Sequence, residues 1–388
     1  EILARAGRSV LIIDKARFPR DKCCGDGLTT LALRLGERLG LNLNSLSNWQ
    51  SVNSAVVHSP SGRILSFPLP VGNGSYAAVV PRSDYDAALL DLARSNGANV
   101  QEECPLVSIE SLGSKVKLKV KNLGTVHTST VVAADGTWSP VRRALGLNIK
   151  PKWGEWLAFR QYASDVGPEA ADLHVWFERD LLPGYAWSFP LPENRANVGF
   201  GMLRGHSDSS AQTGRLATNL FDRPAIRSVL GDEVFPEGRM NAWPIPSRIN
   251  KTVLAHGPVL FVGDAAAATD ILTGEGIGQA LLTGILAGKA VIAGGTITRI
   301  GQTYKRSVHR HLLADHRISV VLQHVLSGPL RTRAALGLAG AFPWTQQNFA
   351  RWMFEDYPRA LLMTPRRWHR GAFRQPGAYA IGYEGDHS

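Results

Sequence analysis

The sequence predicts an α/β fold: a parallel-sheet domain interrupted by a β-rich insert and followed by a helical region. Three observations lead there. Short β-branched and leucine-rich runs stop abruptly at an acid, at Asp14, Asp135 and Asp264, as strands buried on both faces of a parallel sheet do. Helical segments with start and stop signals alternate with these strands at both ends of the core. Between them, from Trp153 to Arg204, the pattern is mostly strand and aromatic.

The elements follow in order. "EILARAGRSVLIIDK" gives a helix end, Gly7 as its cap and a strand finishing at Asp14. An acid in that place ordinarily follows a first strand and a glycine loop, so about 20 residues carrying both are expected ahead of Glu1. "KARFPRDKCCGDGL" is a loop, and "LTTLALRLGERLGL" a helix with Gly40 near its stop. "AVVHSPSGRILSFPL" is a hairpin turning at Ser59–Gly62. "RSDYDAALLDLARSNGA" is a helix with Ser83 expected as N-cap and Gly97 as stop. "KVKLKV" and "TVHTSTVVAADG" form a second hairpin, ending in Asp135-Gly136. "LATNLFDRPAIRSVLG" is helical. "GPVLFVGDAAAATD" is a buried strand ending in Gly263-Asp264, and "GEGIGQALLTGILAGKAVIAG" is a closely packed helix. From Tyr304 onward the chain reads as helical and basic.

Composition narrows the setting. At 388 residues, 44% hydrophobic and 19% charged, neither disorder nor a collagen-like chain is in play. The net charge is +11, and +8 of it lies from Arg299 onward, with 13 Lys/Arg against 5 Asp/Glu. Such an end suits nucleic acid, an acidic partner or an anionic membrane. Three cysteines, two adjacent, give neither a disulfide framework nor metal spacing, which favours a reducing cytoplasm. No stretch reaches 18 uncharged apolar residues, since Lys289 breaks Leu281–Gly295.

The three strand-end acids stand where open α/β sheets bind ligands, and each can accept hydroxyl hydrogen bonds from a ribose or ribitol. A single Asp-Gly is more often only a turn; three in one chain are harder to explain so. In "GDAAAATDILTGEGIGQAL" a strand, Gly-Asp and a glycine-rich turn lead straight into a helix at Ile277. Its unpaired N–H groups and dipole suit an anion or a flavin edge. The bland alternative is a capped helix that binds nothing.

"RFPRDKCCGDGLT", "PRSDYDAALLDLA", "VVAADGTWSPVRRALGL", "PGYAWSFPLPENRANVGFG" and "VLFVGDAAAATDILTGEGIGQALLTG" together resemble the geranylgeranyl reductase family of flavoproteins, within the larger group built like aromatic hydroxylases. The resemblance implies a Rossmann-like FAD-binding domain over residues 1–50, 78–150 and 245–298, lacking its first strand and glycine loop. It implies a β-sheet substrate domain over 51–77 and 151–244, and a helical, basic region over 299–388. It also implies cofactor contacts at Asp14, Cys24, Gly25, Gly27, Arg82, Leu106, Asp135, Gly263, Asp264, Gly276 and Ile277. Tyr185, Trp187 and Phe189, followed by Gly199-Phe200-Gly201, match its substrate-cavity signature. Alternate residues of a strand face one side, so the three rings can line one apolar wall for an isoprenoid chain; ordinary sheet core is the other reading. Pro183 stands one residue closer to Tyr185 than the family's proline does.

The expected activity is saturation of isoprenoid double bonds, in a geranylgeranyl group or a menaquinone-type tail. Electrons would come from NADPH, NADH or a reduced carrier. An aromatic monooxygenase on the same scaffold and a non-catalytic lipid-binding relative are the alternatives. No catalytic side chain is assigned, although the Cys24-Gly25 loop is expected near the flavin; Cys23 is read as incidental, because adjacent cysteines pair poorly. "FPWTQQNFARWMFEDYPRALLMTPRRWHRGAF" mixes aromatics with arginines and no nucleic-acid motif, favouring peripheral contact with the cytoplasmic membrane face over nucleic acid. A helical cap with a solvated basic face explains it equally well.

Overall fold

The computed structural model describes residues 1–70, 74–113, 115–147, 155–204 and 210–368. Trp153, and Arg370 and Phe373 of the aromatic and basic stretch, lie outside the described residues.

In chain order, α1 (Ile2–Arg5) leads to β1 (Leu11–Ile13), β2 (Gly27–Leu28), α2 (Thr30–Leu39), β3 (Gln50–Val52), β4 (Ser54–His58) and β5 (Ile64–Pro68). Then come β6 (Ala77–Val79), α3 (Arg82–Ser95), β7 (Asn99–Gln101), β8 (Leu106–Leu112), β9 (Lys115–Val120), β10 (Gly124–Thr128), β11 (Val131–Ala133) and α4 (Pro140–Ala144). The large sheet follows with β12 (Trp156–Ser164), β13 (Leu173–Trp176), β14 (Tyr185–Leu191) and β15 (Arg195–Leu203), then α5 (Ser210–Thr218), α6 (Pro224–Leu230) and β16 (Phe235–Ile245). Last are β17 (Ala255–His256), β18 (Val259–Phe261), α7 (Ile277–Ala293), α8 (Ile297–Val325), α9 (Pro329–Ala339) and α10 (Pro343–Met353).

The parallel strands fall into two pieces. β1 pairs with β7, and β11 with β18, which also takes β17 antiparallel. No described strand bonds β1 to β11, so the parallel sheet expected as one unit is in two parts. A seven-stranded sheet in the order β16-β12-β15-β14-β13-β4-β5 is antiparallel except between β13 and β4. The β4–β5 hairpin turns as expected, Gly62 N–H bonding to the Ser59 carbonyl at 2.9 Å.

Two local expectations are corrected. The stretch read as one hairpin arm splits: Gly124–Thr128 pairs with β9, whereas Val131–Ala133 crosses into the parallel piece with β18. Ser83 does not cap α3. Pro81, extended at φ −52° and ψ 137°, occupies that place, so the helix starts at Arg82 and the Ser83 hydroxyl turns to Asp84 at 2.9 Å.

The core follows the apolar faces. Ala265, Ala266, Leu286 and Ala287 pack with β18 and the inner face of α8. Tyr304 is fully buried there and donates its hydroxyl proton to the Phe261 carbonyl at 2.5 Å. Helices α9 and α10 cover the hairpin end of the large sheet, with Leu336 and Ala350 packed beside Val57, Leu65 and Phe67. No described helix is long and apolar enough to cross a membrane.

Candidate active site

A cavity of about 560 Å³ lies where the large sheet, the Cys24–Gly27 loop, the ends of β11 and β18, and helices α8 to α10 meet. Its polar lining includes Lys22, Arg82, Asp86, Asp264 and Glu275; its apolar lining includes Phe67, Tyr185, Trp187, Phe189, Leu322 and Phe349.

Most of the residues singled out in the sequence meet here. Cys24, Gly25, Gly27, Arg82, Gly263, Asp264, Gly276 and Ile277 line the cavity, as do Tyr185, Trp187, Phe189 and Gly201. Asp14, Leu106, Asp135 and Gly199 are not among its lining residues. Asp14 closes the turn after β1, accepting the Ala16 N–H at 2.8 Å. Leu106 packs between two apolar clusters at the start of β8. Asp135 accepts the Val141 N–H at 2.9 Å and so holds the start of α4; its neighbours Ala134 and Gly136 face the cavity instead. Gly199 backs the aromatic wall. A Cβ there would stand 2.4 Å from the Trp187 ring and 2.2 Å from the Phe159 carbonyl oxygen, so only glycine lets strand and indole lie together.

The aromatic wall forms because β14 pairs with β15 and sets its odd positions to one side. Successive rings stand 6.1 Å apart from Tyr185 to Trp187 and again to Phe189. The polar tips are satisfied away from the apolar faces: Tyr185 donates to the Thr273 carbonyl, and the Trp187 indole N–H to Asn197 Oδ1 at 3.0 Å.

The Cys24–Gly27 loop is held by groups that sequence reasoning missed. Asn197 Nδ2 donates to the Cys24 carbonyl and to Asp26 Oδ2, both at 2.8 Å, and Tyr162 donates to the same carboxylate at 2.7 Å. Arg160 bonds Asp21 at 2.6 Å and the Cys24 carbonyl at 3.2 Å while lying over the Tyr162 ring. Asp26 is fully buried at φ +62°. Burial raises its carboxyl to about 6 against the opposing pull of Tyr162 and Arg160. The one available signal was its place between two glycines in the loop. Burial raises the Cys24 thiol, with Arg82 opposing, and lifts Cys23 to about 11, so both stay protonated at neutral pH. Arg82 is gripped bidentately by Asp86 at 2.8 and 2.9 Å, and Asp86 also takes Arg20 at 2.8 Å.

The turn into α7 corrects a third expectation. The N–H groups of Ile277 and Gly278 are not unpaired: the Glu275 carboxylate accepts them at 2.8 and 3.1 Å. Burial and the nearby Glu355 carboxylate raise Glu275 to about 8. Glu355 comes from just beyond α10 and accepts from Thr29 at 2.8 Å and Gln279 at 2.7 Å. The same C-terminal region grips the preceding turn. Asp270 takes Ser319 at 2.7 Å and Arg359 at 3.3 Å, and Gln323 donates to the Ile271 carbonyl at 3.0 Å. The region beyond Arg299 is therefore part of the site, which its composition alone did not disclose.

The cavity's donor set and shape fit a flavin. A Cβ at Gly27 would stand 3.0 Å from the Phe189 ring, and one at Gly276 3.1 Å from Thr269 Oγ1, so the loop and the helix start come this close to the cavity wall only as glycine. Asp264 lies 3.5 Å from Lys22 at a strand end, and Arg82 stands across the cavity lining. An FAD-binding domain model matches residues 1–290. The menaquinone reductase of Mycobacterium tuberculosis is 31% identical over 304 residues, spanning 73% of this chain and 71% of its own. Digeranylgeranylglycerophospholipid reductase 2 of Methanopyrus kandleri is 29% identical over 300 residues, spanning 74% and 71%. In fold, a geranylgeranyl bacteriochlorophyll reductase-like protein from Thermoplasma acidophilum superposes with a TM-score of 0.76 at 20% identity, over 93% of this chain and 94% of that one. The chain belongs to the geranylgeranyl reductase family of FAD-dependent oxidoreductases.

Proposed function

We propose that the protein uses FAD to saturate carbon–carbon double bonds of an isoprenoid chain, in a geranylgeranyl group or a menaquinone-type tail, the chemistry named for its relatives. One observation carries this reading: the three-ring apolar wall and the strand-end acid share a single cavity. A phenol-sized substrate would leave most of that wall without a partner.

When bound, reduced flavin supplies a hydride. The residues that would hold FAD are Asp14, Cys24, Gly25, Gly27, Arg82, Leu106, Asp135, Gly263, Asp264, Gly276 and Ile277. An isolated alkene offers no carbonyl to polarise, so the chain contributes placement and exclusion of water. Tyr185, Trp187 and Phe189 fix the plane along which the prenyl chain lies; Gly199 lets the Trp187 ring seat against the sheet, and Gly201 leaves room for Trp156, which packs edge-on against Tyr185. Saturation also consumes a proton. Burial pushes both Glu275 and Cys24, which stand in the lining, toward their protonated forms. Electrons reach the flavin from NADPH, NADH or a reduced carrier, and the protein meets its lipid at the cytoplasmic membrane face.

The FAD-loaded protein, given dithionite without air and then menaquinone or a geranylgeranyl lipid, is expected to return a product two mass units heavier. No such gain in either lipid, with an oxygenated phenol formed under air, would overturn the reading.

A further inference from the structure

We infer that the end of α8 together with the α9–α10 hairpin is the surface by which this protein docks on an anionic lipid bilayer, and that lipid reaches the cavity across it. The inference rests on the reading that the substrate is a membrane lipid and assigns the face that meets the membrane.

The first observation is that these helices present large apolar side chains both to the cavity and to solvent. Toward the interior, Leu322, Leu336, Phe349 and Met353 line the cavity. Toward solvent, Leu330 is 76% exposed, Leu338 73%, Phe342 67% and Trp344 60%. A helix is about 10–12 Å across with its side chains, so the exposed apolar residues lie one helix thickness from the cavity. Val325 belongs to both sets, lining the cavity while exposed. A wall needed only to close the cavity would carry polar residues outside; this one also exposes four large apolar side chains. Exposed patches of this kind mark interaction sites rather than ordinary surface.

The second observation selects the occupant. Residues 316–354 contain no Asp or Glu, yet they contain Arg317, Arg331, Arg333 and Arg351. Arg317, Arg331 and Arg333 are exposed. Exposed large apolar side chains together with three exposed arginines and no acid in the same stretch complement an anionic headgroup layer. A typical protein interface would pair such arginines with acids of its own in the rim. The Phe342 and Trp344 rings flank the start of α10, where amphipathic rings sit well at headgroup depth. Lipid leaving the bilayer beside them would cross one apolar wall and meet Phe349 and the Tyr185–Phe189 rings beyond it.

The test is co-sedimentation of the full chain with vesicles of phosphatidylcholine alone and of phosphatidylcholine with phosphatidylglycerol. Binding is expected to the anionic vesicles and to weaken with salt. The double substitution Phe342→Ser/Trp344→Ser is expected to lower that partition at least tenfold, and Arg331→Glu/Arg333→Glu to abolish the preference for phosphatidylglycerol. Thermal unfolding of both variants should match the parent, because none of the four side chains is buried. Equal binding by parent and variants would overturn the inference. So would a parent that ignores both vesicles but forms a dimer that Phe342→Ser/Trp344→Ser splits, since the face would then be a self-association surface. Neither result touches the reductase reading, which stands or falls on the mass gain of a detergent-dissolved lipid.

Discussion

The two sides of the cavity are built by opposite means. The aromatic side is local: three rings of one strand, spaced by two, with Gly199 on the paired strand seating the middle one. The strand-end side is assembled from charged groups far apart in the chain. Thr29 meets Glu355, and Asp270 meets Arg359 across 89 positions. The aromatic side can fail one contact at a time, whereas the charged side depends on pairs buried together. Removing one partner of a buried pair leaves a charge without compensation, which costs more than the pair ever contributed.

The largest expected effect follows from that asymmetry. Arg359 and Asp270 have side chains 3% and 6% exposed. Arg359→Met should destabilise the protein by about 3–5 kcal/mol in urea unfolding and loosen the turn before α7. Adding Asp270→Asn should recover part of the loss, because the stranded charge is then gone. A single variant as stable as the parent, or a double variant worse than the single, would place the strength of this side elsewhere.

On the aromatic side the expected cost is smaller and sharply positional. Gly199→Ala puts a methyl group against a backbone oxygen and the Trp187 ring at once, an overpacking that costs about 1–3 kcal/mol. The near-ultraviolet dichroism of the tryptophans should change with it. Gly25→Ala meets the Phe189 ring at 3.2 Å with no backbone atom among its nearest neighbours, so a small turn of that ring accommodates it. If the two variants lose equal stability, the rings rather than the strand pairing set the wall.

The same difference explains what was legible in the sequence. Tyr185, Trp187 and Phe189 could be placed on one face from period two alone, and Asp264 with Gly276 from a strand running into a helix. The hairpin of β4 and β5 was equally plain. Asp26, Asn197 and Arg160 were not, since their roles depend on strands brought together over more than 130 positions. Glu275 sat in view inside "TGEGIG", but helix-start amides read as open cannot be known to be capped until the side chain is seen on them. The C-terminal helices read as basic surface because arginines dominate the composition, while the leucines and phenylalanines that wall the cavity are spread over three helices. Asp135 divides between the two: its Oδ2 takes the Val141 N–H at the start of α4, which no motif announces, while its buried Oδ1 has no hydrogen-bond partner among the described residues.

The smallest expected effect is a slope rather than a step, and it bears on how the charged side carries its proton. Burial and Glu355 raise Glu275 from an ordinary 4.5 to about 8. Between those values the folded chain keeps a proton that the unfolded chain releases. Stability from this group is therefore fully present below pH 4.5 and is lost as pH rises through 8, at no more than about 1.4 kcal/mol per pH unit. Asp26 acts in the same sense between 3.8 and about 6, and His58, lowered from 6.5 to about 4 by burial and His174, acts in the opposite sense. The informative quantity is thus the parent's stability minus that of Glu275→Gln, followed from pH 4.5 to 8. Glutamine keeps an oxygen for the Ile277 and Gly278 N–H groups, so the helix start remains capped while the titration is removed. The difference should move steadily in favour of the variant as pH rises. A difference that stays flat would mean that Glu275 is ionised throughout, with Arg82 rather than a proton balancing it, and the two sides of the cavity would then differ in charge but not in how they hold it.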